Sequence, residues 1–381
     1  MRSPGDTVVL FRGESNFGNI GSMVPALAAG FQDAGFMTKV IDIREAGHEA
    51  DLSRVAQAGR IAALVCVSGF GLPPAPESQA VDLFNGLDVP VIGVFLDHPF
   101  CLRDRIDLPL NNFHACFPAG HAARFCERFI RPEGRYHHLP HGAVARPARD
   151  WADRDIPLLL TGSLFLPPDD QRRQWRDHGT DVERRLNDIT DIVWQDLSRP
   201  LEDAVLDVIG NEVTFDALFP YMKTVDDYVR NAQRLAVVKN LSHLPLCVVG
   251  PGWDIYADAM PNVRFTGQKT IDEALAMIDR AKAVLNPFPG YNDSHERVVN
   301  AMAGGTAVLS SRSPFYAAAF DAADMFFLPN DAGDLPGAAA DLMADDGRLA
   351  AMAASGRRKF LDGHTWGHRA GQVARIAGIV P

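Results

Sequence analysis

The sequence lacks a long apolar run, a cysteine framework and an excess of positive charge, and each absence excludes a class of protein. No stretch approaches the length of a transmembrane span, and the segment MRSPGDTVVLFRG lacks the apolar core of a signal peptide, so we expect a cytoplasmic protein. The five cysteines form no C-x-x-C pair, which argues against a disulfide framework and a zinc site. The formal net charge of −11 disfavours binding to nucleic acid or to an anionic membrane.

The length and the pattern of apolar residues predict two α/β domains. A chain of 381 residues is too long for one ordinary domain and can bury two cores. Apolar strands alternate with helical segments, which predicts parallel, doubly wound sheets. We place the domains at residues 1–145 and 156–365, joined by a polar, proline-bearing linker at 146–155. Helical periodicity over 169–240 predicts an insertion in the second domain, and a last helix is expected within 366–381.

Three acidic or imidazole side chains of the first domain are candidates for chemistry. The strand at 91–96 ends in Asp97 and His98, at the carboxyl edge of the sheet where open α/β folds bind ligands. Asp97 could equally cap the following short helix, with His98 as a turn residue. Glu14 lies in the glycine-bearing loop after the first strand, whose glycine spacing misses the G-x-G-x-x-G pattern and so gives little support to a dinucleotide site.

The histidines cluster in the first domain without the spacing of a known metal site. His141 precedes Gly142 where the first domain ends, so we consider it for a cleft between the domains. Packing and turn roles are the better interpretation of the others, and no metal site is predicted. These others are His114, His121, His137 and His138.

The stretch 283–311 carries the strongest functional signal. Its apolar start predicts a buried strand that ends in a proline- and glycine-bearing loop, followed by a helix and a second strand. Asp293 followed by Glu296 resembles a capping box. A helix N-terminus at the carboxyl end of a parallel strand suits a phosphate group. The candidate residues on or near this first turn are Ser294, His295, Glu296, Arg297 and Asn300.

Other strand ends of the second domain add weaker candidates for donor binding. Gly162 and Ser163 form a turn after the strand at 156–161, and Gly252 follows the strand at 246–249. Lys269 comes just after a further strand and is a candidate for a diphosphate. A common turn and a solvated surface lysine are the alternative interpretations.

Several motifs together resemble a known enzyme family. V-V-G-P-G, N-V-R-F-T-G, H-E-R-V-V-N-A-M-A-G-G-T and H-T-W-x-x-R follow one another over 246–369, and D-H-P-F and P-H-G occur in the first domain. In this order they resemble the GT-B fold glycosyltransferases, in particular the CgeB-type or "glycosyl transferases group 1" proteins.

The resemblance implies a fold, an activity and a separate binding role for each domain. It implies two facing Rossmann-like domains, with the nucleotide-sugar donor held by the second, the glycosyl acceptor by the first, and the last helix crossing back to the first. The implied enzyme is a metal-independent, hexosyltransferase-like protein of bacterial glycan biosynthesis that requires no cofactor. Its acceptor would be a hydroxyl of a glycan, glycolipid, protein or small molecule, and a homo-oligomer is left open.

One departure from the family pattern concerns the ribose. Many relatives carry a glutamate where this chain has Asn300, and the earlier glutamate of the retaining-type pair is replaced by Asn292. Glu296 lies on the same helical face as Asn300 and could substitute, or it could serve only the capping box. Arg297 is our first choice for the diphosphate, because its planar fork matches phosphate oxygens.

The catalytic base and the reaction class are left with alternatives. Asp97 is our first choice for the base, Glu14 the second, followed by His98 and His141. An epimerase or a phosphorylase-like enzyme would also use a nucleotide sugar or a phosphate. A non-catalytic, bilobal binding protein is disfavoured by the lack of a signal peptide.

Overall fold

The computed structural model describes residues 6–15, 18, 20–329 and 333–379. The chain divides into two compact units, the first formed by Met1–Val144 with Gly363–Pro381 and the second by Ala145–Asp362. Each unit contains one six-stranded sheet in which every strand pairing is parallel. The predicted α/β fold with two parallel sheets is therefore confirmed.

The first unit alternates strands and helices from its start. Its strands follow the order β2-β1-β3-β4-β5-β6. The central strand β3, IAALVCV, is buried along its whole length, as expected for a parallel sheet covered on both faces. The elements are β1 Thr7–Arg12, α1 Ile20–Asp33, β2 Met37–Asp42, α2 His48–Ala58, β3 Ile61–Val67, α3 Gln79–Gly86, β4 Val91–Val94, α4 Arg103–Ile106, β5 Phe113–Phe117, α5 Ala122–Phe129 and β6 Arg135–His138.

The second unit has the same alternation with a longer connection after its first strand. Four helices, α6 to α9, lie between β7 and β8, and α9 alone has 26 residues. The sheet order is β12-β11-β10-β7-β8-β9. The elements are β7 Ile156–Thr161, α6 Pro168–Arg176, α7 Thr180–Gln195, α8 Leu201–Ile209, α9 Phe215–Asn240, β8 Leu246–Val249, β9 Arg264–Phe265, α10 Ile271–Arg280, β10 Ala281–Asn286, α11 Glu296–Ala303, β11 Ala307–Ser310, α12 Pro314–Ala319, β12 Phe326–Phe327, α13 Leu335–Ala344 and α14 Asp346–Gly363.

The last helix, α15 Trp366–Ile376, packs against α1 and completes the core of the first unit. The two helices approach closely at Gly30, where an added Cβ would lie 2.7 Å from the Cα of Gly367. Trp366 and Val373 are buried in the same cluster as Leu27 of α1. The C-terminal segment is therefore part of the hydrophobic core that begins at the other end of the chain.

Candidate functional site

The carboxyl ends of β7 and β10 lie side by side where the strand order of the second unit reverses. From β7 the chain moves outward through β8 to β9, and it then returns to β10 on the other side and continues to β11 and β12. Open parallel sheets bind ligands at such a switch point, outside the carboxyl ends of the strands. The stretch singled out in the sequence supplies β10, α11 and β11 of this edge.

Arg297 joins the ends of the two central strands. Its Nε donates to Thr161 Oγ1 at 3.1 Å, and its Nη1 donates to Asn286 Oδ1 at 2.6 Å. Asn286 in turn donates from Nδ2 to Ser310 Oγ at 2.9 Å, at the end of β11. The guanidinium is therefore held by the last residues of two neighbouring strands, one of which is fixed by the last residue of a third.

Arg297 is buried without a counter-ion. Burial lowers its pKa to about 10, while the nearby charge of Glu296 acts in the opposite direction. Within the described residues Arg297 has no ion pair, and its Nη2 has no hydrogen-bond partner. A buried cation in this state is stabilised when an anion binds beside it.

Arg234 of α9 brings a second positive charge to the same point. Its Nη1 donates to the carbonyl oxygen of Ser163 at 2.8 Å, and its Nε is buried without a partner among the described residues. Burial, together with the neighbouring positive charges of Arg297 and Arg230, lowers the pKa of Arg234 to about 9. A Cβ on Gly162 would lie 3.4 Å from Arg297 Nη2 and 3.6 Å from Arg234 Nε. Two guanidinium groups thus converge beside a residue that has no side chain.

The turn after β7 offers one more donor to an anion. The Gly162 N–H is used in the sheet, where it donates to Val249 O at 2.8 Å. In the part of the chain that the structure describes, neither the N–H nor the hydroxyl of Ser163 has a hydrogen-bond partner. Of the two residues predicted in this turn, Ser163 therefore has free donors, and Gly162 leaves space for the two arginines.

The predicted capping box at the start of α11 is wrong. The helix begins at Glu296, and its cap is His295, whose Nδ1 accepts from the Arg297 N–H at 3.1 Å. Asp293 has a φ of 59°, which turns the chain out of a helical path before the helix can begin. Its Oδ1 instead accepts from the Phe315 N–H at 2.9 Å. Glu296 is consequently a first-turn residue rather than the partner of a cap.

The remaining residues around α11 have varied environments. Ser294 is buried, and the His295 ring packs edge-on against Phe288 with centroids 4.3 Å apart. Asn300 lies one turn after Glu296, and its carbonyl oxygen accepts from Arg146 Nη2 at 2.7 Å. The structure thus brings Ser294, Glu296 and Asn300 to one short helix and its approach.

Lys269 and Gly252 lie further from the switch point. Lys269 follows the edge strand β9, two strands and therefore about 10 Å from β7, and its Nζ is 3.6 Å from Glu273 Oε1. Gly252 has a φ of 87°, and a Cβ there would lie 2.0 Å from Leu164 O. Gly252 is therefore required for the close packing of two loops.

The candidates for a base lie at the carboxyl edge of the first unit's sheet. Glu14 is exposed beyond β1, with Oε2 3.6 Å from Arg44 Nη1. Asp97 is exposed beyond β4, which is separated from β1 by β3, so the two strand ends are about 10 Å apart. The structure therefore does not place Glu14 and Asp97 next to each other.

Two histidines of the first unit are buried. The short 3-10 helix Pro99–Cys101 is capped by His98, whose Nδ1 accepts from the Phe100 N–H at 3.3 Å, so the alternative that Asp97 caps it is wrong. The carbonyl oxygen of His141 accepts from Arg369 Nε at 3.2 Å and Nη2 at 3.1 Å. His141 therefore connects the exit turn of the first unit to α15.

Sequence reasoning missed the contribution of α9. Helical periodicity predicts α9 only as part of the insertion at 169–240, yet a line of polar residues lies on one of its faces at steps of three and four residues. Asp226 and Gln233 of this line are buried, which is unusual for acidic and amide side chains. Polar residues at helical spacing on a core-facing side were the signal that could have found the set, which is Asp226, Arg230, Gln233 and Arg234. Thr161 and Asn286, the last residues of their strands, were missed as well.

Part of the chain matches a known protein family. Residues 230–375 match the sequence profile of the family described as "Glycosyl transferase-like". No curated protein matches the sequence significantly. Within the described residues, no helix is long and apolar enough to cross a membrane.

Two solved structures of sugar-transferring enzymes share the fold of this chain. An alpha-glucosyltransferase in complex with UDP aligns with a TM-score of 0.60 and 9% identity, over 98% of this chain and 99% of that one. Sucrose-phosphate synthase from Thermosynechococcus elongatus aligns with a TM-score of 0.54 and 12% identity, over 97% of this chain and 98% of that one. The chain thus has the fold of the GT-B glycosyltransferases.

Proposed function

We propose that the protein transfers a hexose from a nucleoside diphosphate sugar to an acceptor hydroxyl, with the diphosphate bound between Arg297 and Arg234. The observation that carries the proposal is the pair of converging guanidinium groups, which have no carboxylate partner among the described residues. They lie at the switch point of a parallel sheet, where phosphate groups bind in many α/β proteins. Arginine forks match phosphate oxygens in charge and in geometry.

The chemistry follows from where negative charge develops. During transfer an acceptor oxygen attacks the anomeric carbon, and the bond from that carbon to the diphosphate oxygen breaks. The bonding electrons pass to the departing diphosphate, which gains negative charge beside Arg297 and Arg234. Donors fixed at such a point lower the barrier, because they need not reorganise as the charge forms. We propose that these two side chains do this without a metal ion, and activity that persists in excess EDTA is the expected result.

Three residues around the arginines complete the proposed donor site. The free N–H and hydroxyl of Ser163 would bind a phosphate oxygen. Phe165, two residues further along, is 71% exposed, and we propose that its ring stacks on the nucleobase. Glu296, on the first turn of α11, is our candidate for the ribose hydroxyls in place of the acid that Asn300 replaces.

For an inverting transfer we propose Asp97 as the base that takes the acceptor proton. It is an exposed carboxylate at the carboxyl edge of the first unit's sheet, with Glu14 as the next choice and His98 and His141 after it. Asp97→Asn keeps the size of the side chain and removes the basic oxygen. We expect turnover to fall about 100-fold or more with donor affinity retained. Near-wild-type turnover would exclude Asp97 as the base.

A thermal-shift panel tests the donor site first. The ligands are UDP, GDP, CDP, dTDP and CMP, and we expect at least one nucleoside diphosphate to raise the melting temperature, because a ligand that binds only the native state stabilises it. The nucleobase of the ligand that stabilises the protein determines which sugar nucleotides are then assayed. These assays measure release of the nucleoside diphosphate with and without acceptor. No stabilisation by any of the five would contradict the proposal. Interconversion of the free sugar nucleotide without acceptor would point to an epimerase instead.

A further inference from the structure

The first unit contains a large pocket that the proposed donor site does not use. Its volume is about 860 Å³, within the range of about 300–1,000 Å³ that is usual for small-molecule sites. It is formed by the carboxyl end of β1, the residues after β2 and β3, and the helices α2 and α3. All of its described lining residues belong to the first unit.

The lining of this pocket is mostly apolar, with two serines and a glutamine, and among the described residues it carries no acidic or basic group apart from His48. The Phe11 and Phe84 rings stack with centroids 6.1 Å apart, and Leu83 is left 39% exposed. Exposed large apolar residues beside a cavity mark a site that an apolar ligand can cover. Because a charged ligand would be desolvated there without a partner of opposite sign, the lining favours an uncharged molecule.

One polar group of the lining lacks a partner. Ser78 is the residue before α3, a position at which serine normally accepts a hydrogen bond from the first turn of the helix. Its side chain makes no such bond, and Ser78 Oγ is buried without any hydrogen-bond partner in the described part of the chain. Buried hydroxyl groups are usually satisfied, so an unpaired one in a pocket wall gains a partner when its side chain turns toward a ligand.

We propose that this pocket binds an uncharged, largely apolar small molecule with one hydroxyl or carbonyl group, which pairs with Ser78 Oγ. The apolar part covers Leu83 and the two phenylalanine rings. The site goes beyond the proposed donor site, because it lies in the first unit, the arginine pair lies in the second, and its described lining does not include Asp97.

The test uses two fluorescent probes that differ by one hydroxyl, 2-naphthol and naphthalene. We expect saturable binding of both to the full-length protein, with 2-naphthol bound more tightly. Leu83→Glu should weaken both by about tenfold or more, since it places a charge in the apolar wall. Met37→Glu is the matched control, because Met37 is a 58% exposed apolar residue of the same unit outside the pocket. This variant should bind both probes with unchanged affinity. Ala80→Phe, which fills the pocket without adding charge, provides a second variant with the same expected loss.

Ser78→Ala separates the hydroxyl contact from the apolar one. We expect it to weaken 2-naphthol about fivefold, the effect of one neutral hydrogen bond, and to leave naphthalene unchanged. The proposed site would be overturned if the wild type showed no saturable probe binding or if Leu83→Glu and Ala80→Phe both bound the probes unchanged. It would also be overturned if Met37→Glu lost as much probe affinity as Leu83→Glu. An equal effect of Ser78→Ala on both probes would overturn its hydrogen-bonding role. The nucleoside diphosphate panel is run on the same samples, so failure of one site is distinguished from failure of the other.

Discussion

Two buried arginines at opposite ends of α11 have the same exposure and very different surroundings. Arg154 and Arg297 are each 5% exposed, and burial lowers the pKa of both. Arg154 lies at the amino edge of the sheet, where Nη1 donates to Ala281 O at 2.7 Å and Nη2 to Gly304 O at 2.8 Å. Arg297 lies at the carboxyl edge, and its Nη2 has no partner among the described residues.

The dipole of α11 favours a positive charge at its C-terminal end and disfavours one at its N-terminal end. Arg154 binds a carbonyl at the C-terminal end of α11, where a positive charge is favourable. Arg297 is the second residue of the same helix, where the dipole is positive and a cation is unfavourable. A cation held against the dipole, near a second cation, contributes little to stability. We infer that Arg154 serves the fold and Arg297 serves a bound anion.

Replacing each of these two arginines with lysine should give the largest difference in activity and stability. We expect Arg297→Lys to lower turnover about 100-fold, because an ammonium group cannot hold Thr161, Asn286 and a phosphate oxygen together. Arg154→Lys should leave the nucleoside diphosphate Kd unchanged and lower the melting temperature by about 3 °C or more, since an unsatisfied buried carbonyl costs about 1–3 kcal/mol. Turnover, Kd and Tm are measured on both variants. Equal losses of nucleotide affinity in Arg297→Lys and Arg154→Lys would contradict the assignment of different roles to the two arginines.

Replacing Arg234 should give the next largest loss of nucleotide affinity and, unusually, a higher melting temperature. Arg234→Met should weaken nucleoside diphosphate binding about tenfold, the effect of losing one charged hydrogen bond of about 1.5 kcal/mol. The ligand-free protein should melt at a higher temperature, because the repulsion between Arg234 and Arg297 is removed. Arg146→Met is the control, since Arg146 is paired with Asp279 at 2.8 Å and its loss should lower Tm. A lower Tm in Arg234→Met would show that Arg234 is structural.

Gly162→Ala tests the space between the two arginines. The added methyl group would lie 3.4 Å from Arg297 Nη2, where a phosphate oxygen is expected. We expect about a fivefold loss of nucleoside diphosphate affinity, for a steric cost of about 1 kcal/mol. Gly337→Ala, with no atom within 4 Å of its new methyl group, should have no effect on affinity. Unchanged affinity in Gly162→Ala, measured by titration, would place the phosphate elsewhere.

The smallest expected effect concerns the nucleobase. Phe165→Ala should weaken a nucleoside diphosphate by at most about fivefold, because a ring that is 71% exposed offers only the lower end of the stacking energy, about 1 kcal/mol. Inorganic pyrophosphate has no base to stack, so its Kd should stay the same. A similar loss for both ligands would show that Phe165 acts on the loop of Ser163 rather than on a base.

Regular periodicity made much of the fold predictable from the sequence. The strand expected from Ala283 onward corresponds to β10, Ala281–Asn286, and the helix that ends before Gly304 corresponds to α11, Glu296–Ala303. Both follow from a run of buried residues and from glycines that end a helix. Arg297 could be singled out in the same way, because its place after a strand and at a helix start is a local property.

The rest of the site depends on contacts between distant segments. Arg234 lies 63 residues before Arg297 in the chain and reaches the switch point because α9 shares a hydrophobic core with β7 and β10. The capping-box expectation failed for a related reason. The N–H of Phe315, far along the chain, binds the Asp293 carboxylate and leaves the cap to His295. A local pattern can mark α9 as a helix with a polar face, but it does not show which distant segment that face contacts.

The most direct test compares a nucleoside diphosphate with its nucleoside by calorimetric titration of the wild type and Arg297→Met. We predict that the diphosphate binds the wild type at least about 100-fold more tightly than the nucleoside, as expected for two charged contacts of about 1.5 kcal/mol or more each, and that Arg297→Met reduces this difference about tenfold. Equal affinities for the two ligands in the wild type, or an undiminished difference in Arg297→Met, would contradict the assignment of the arginine pair to the donor diphosphate.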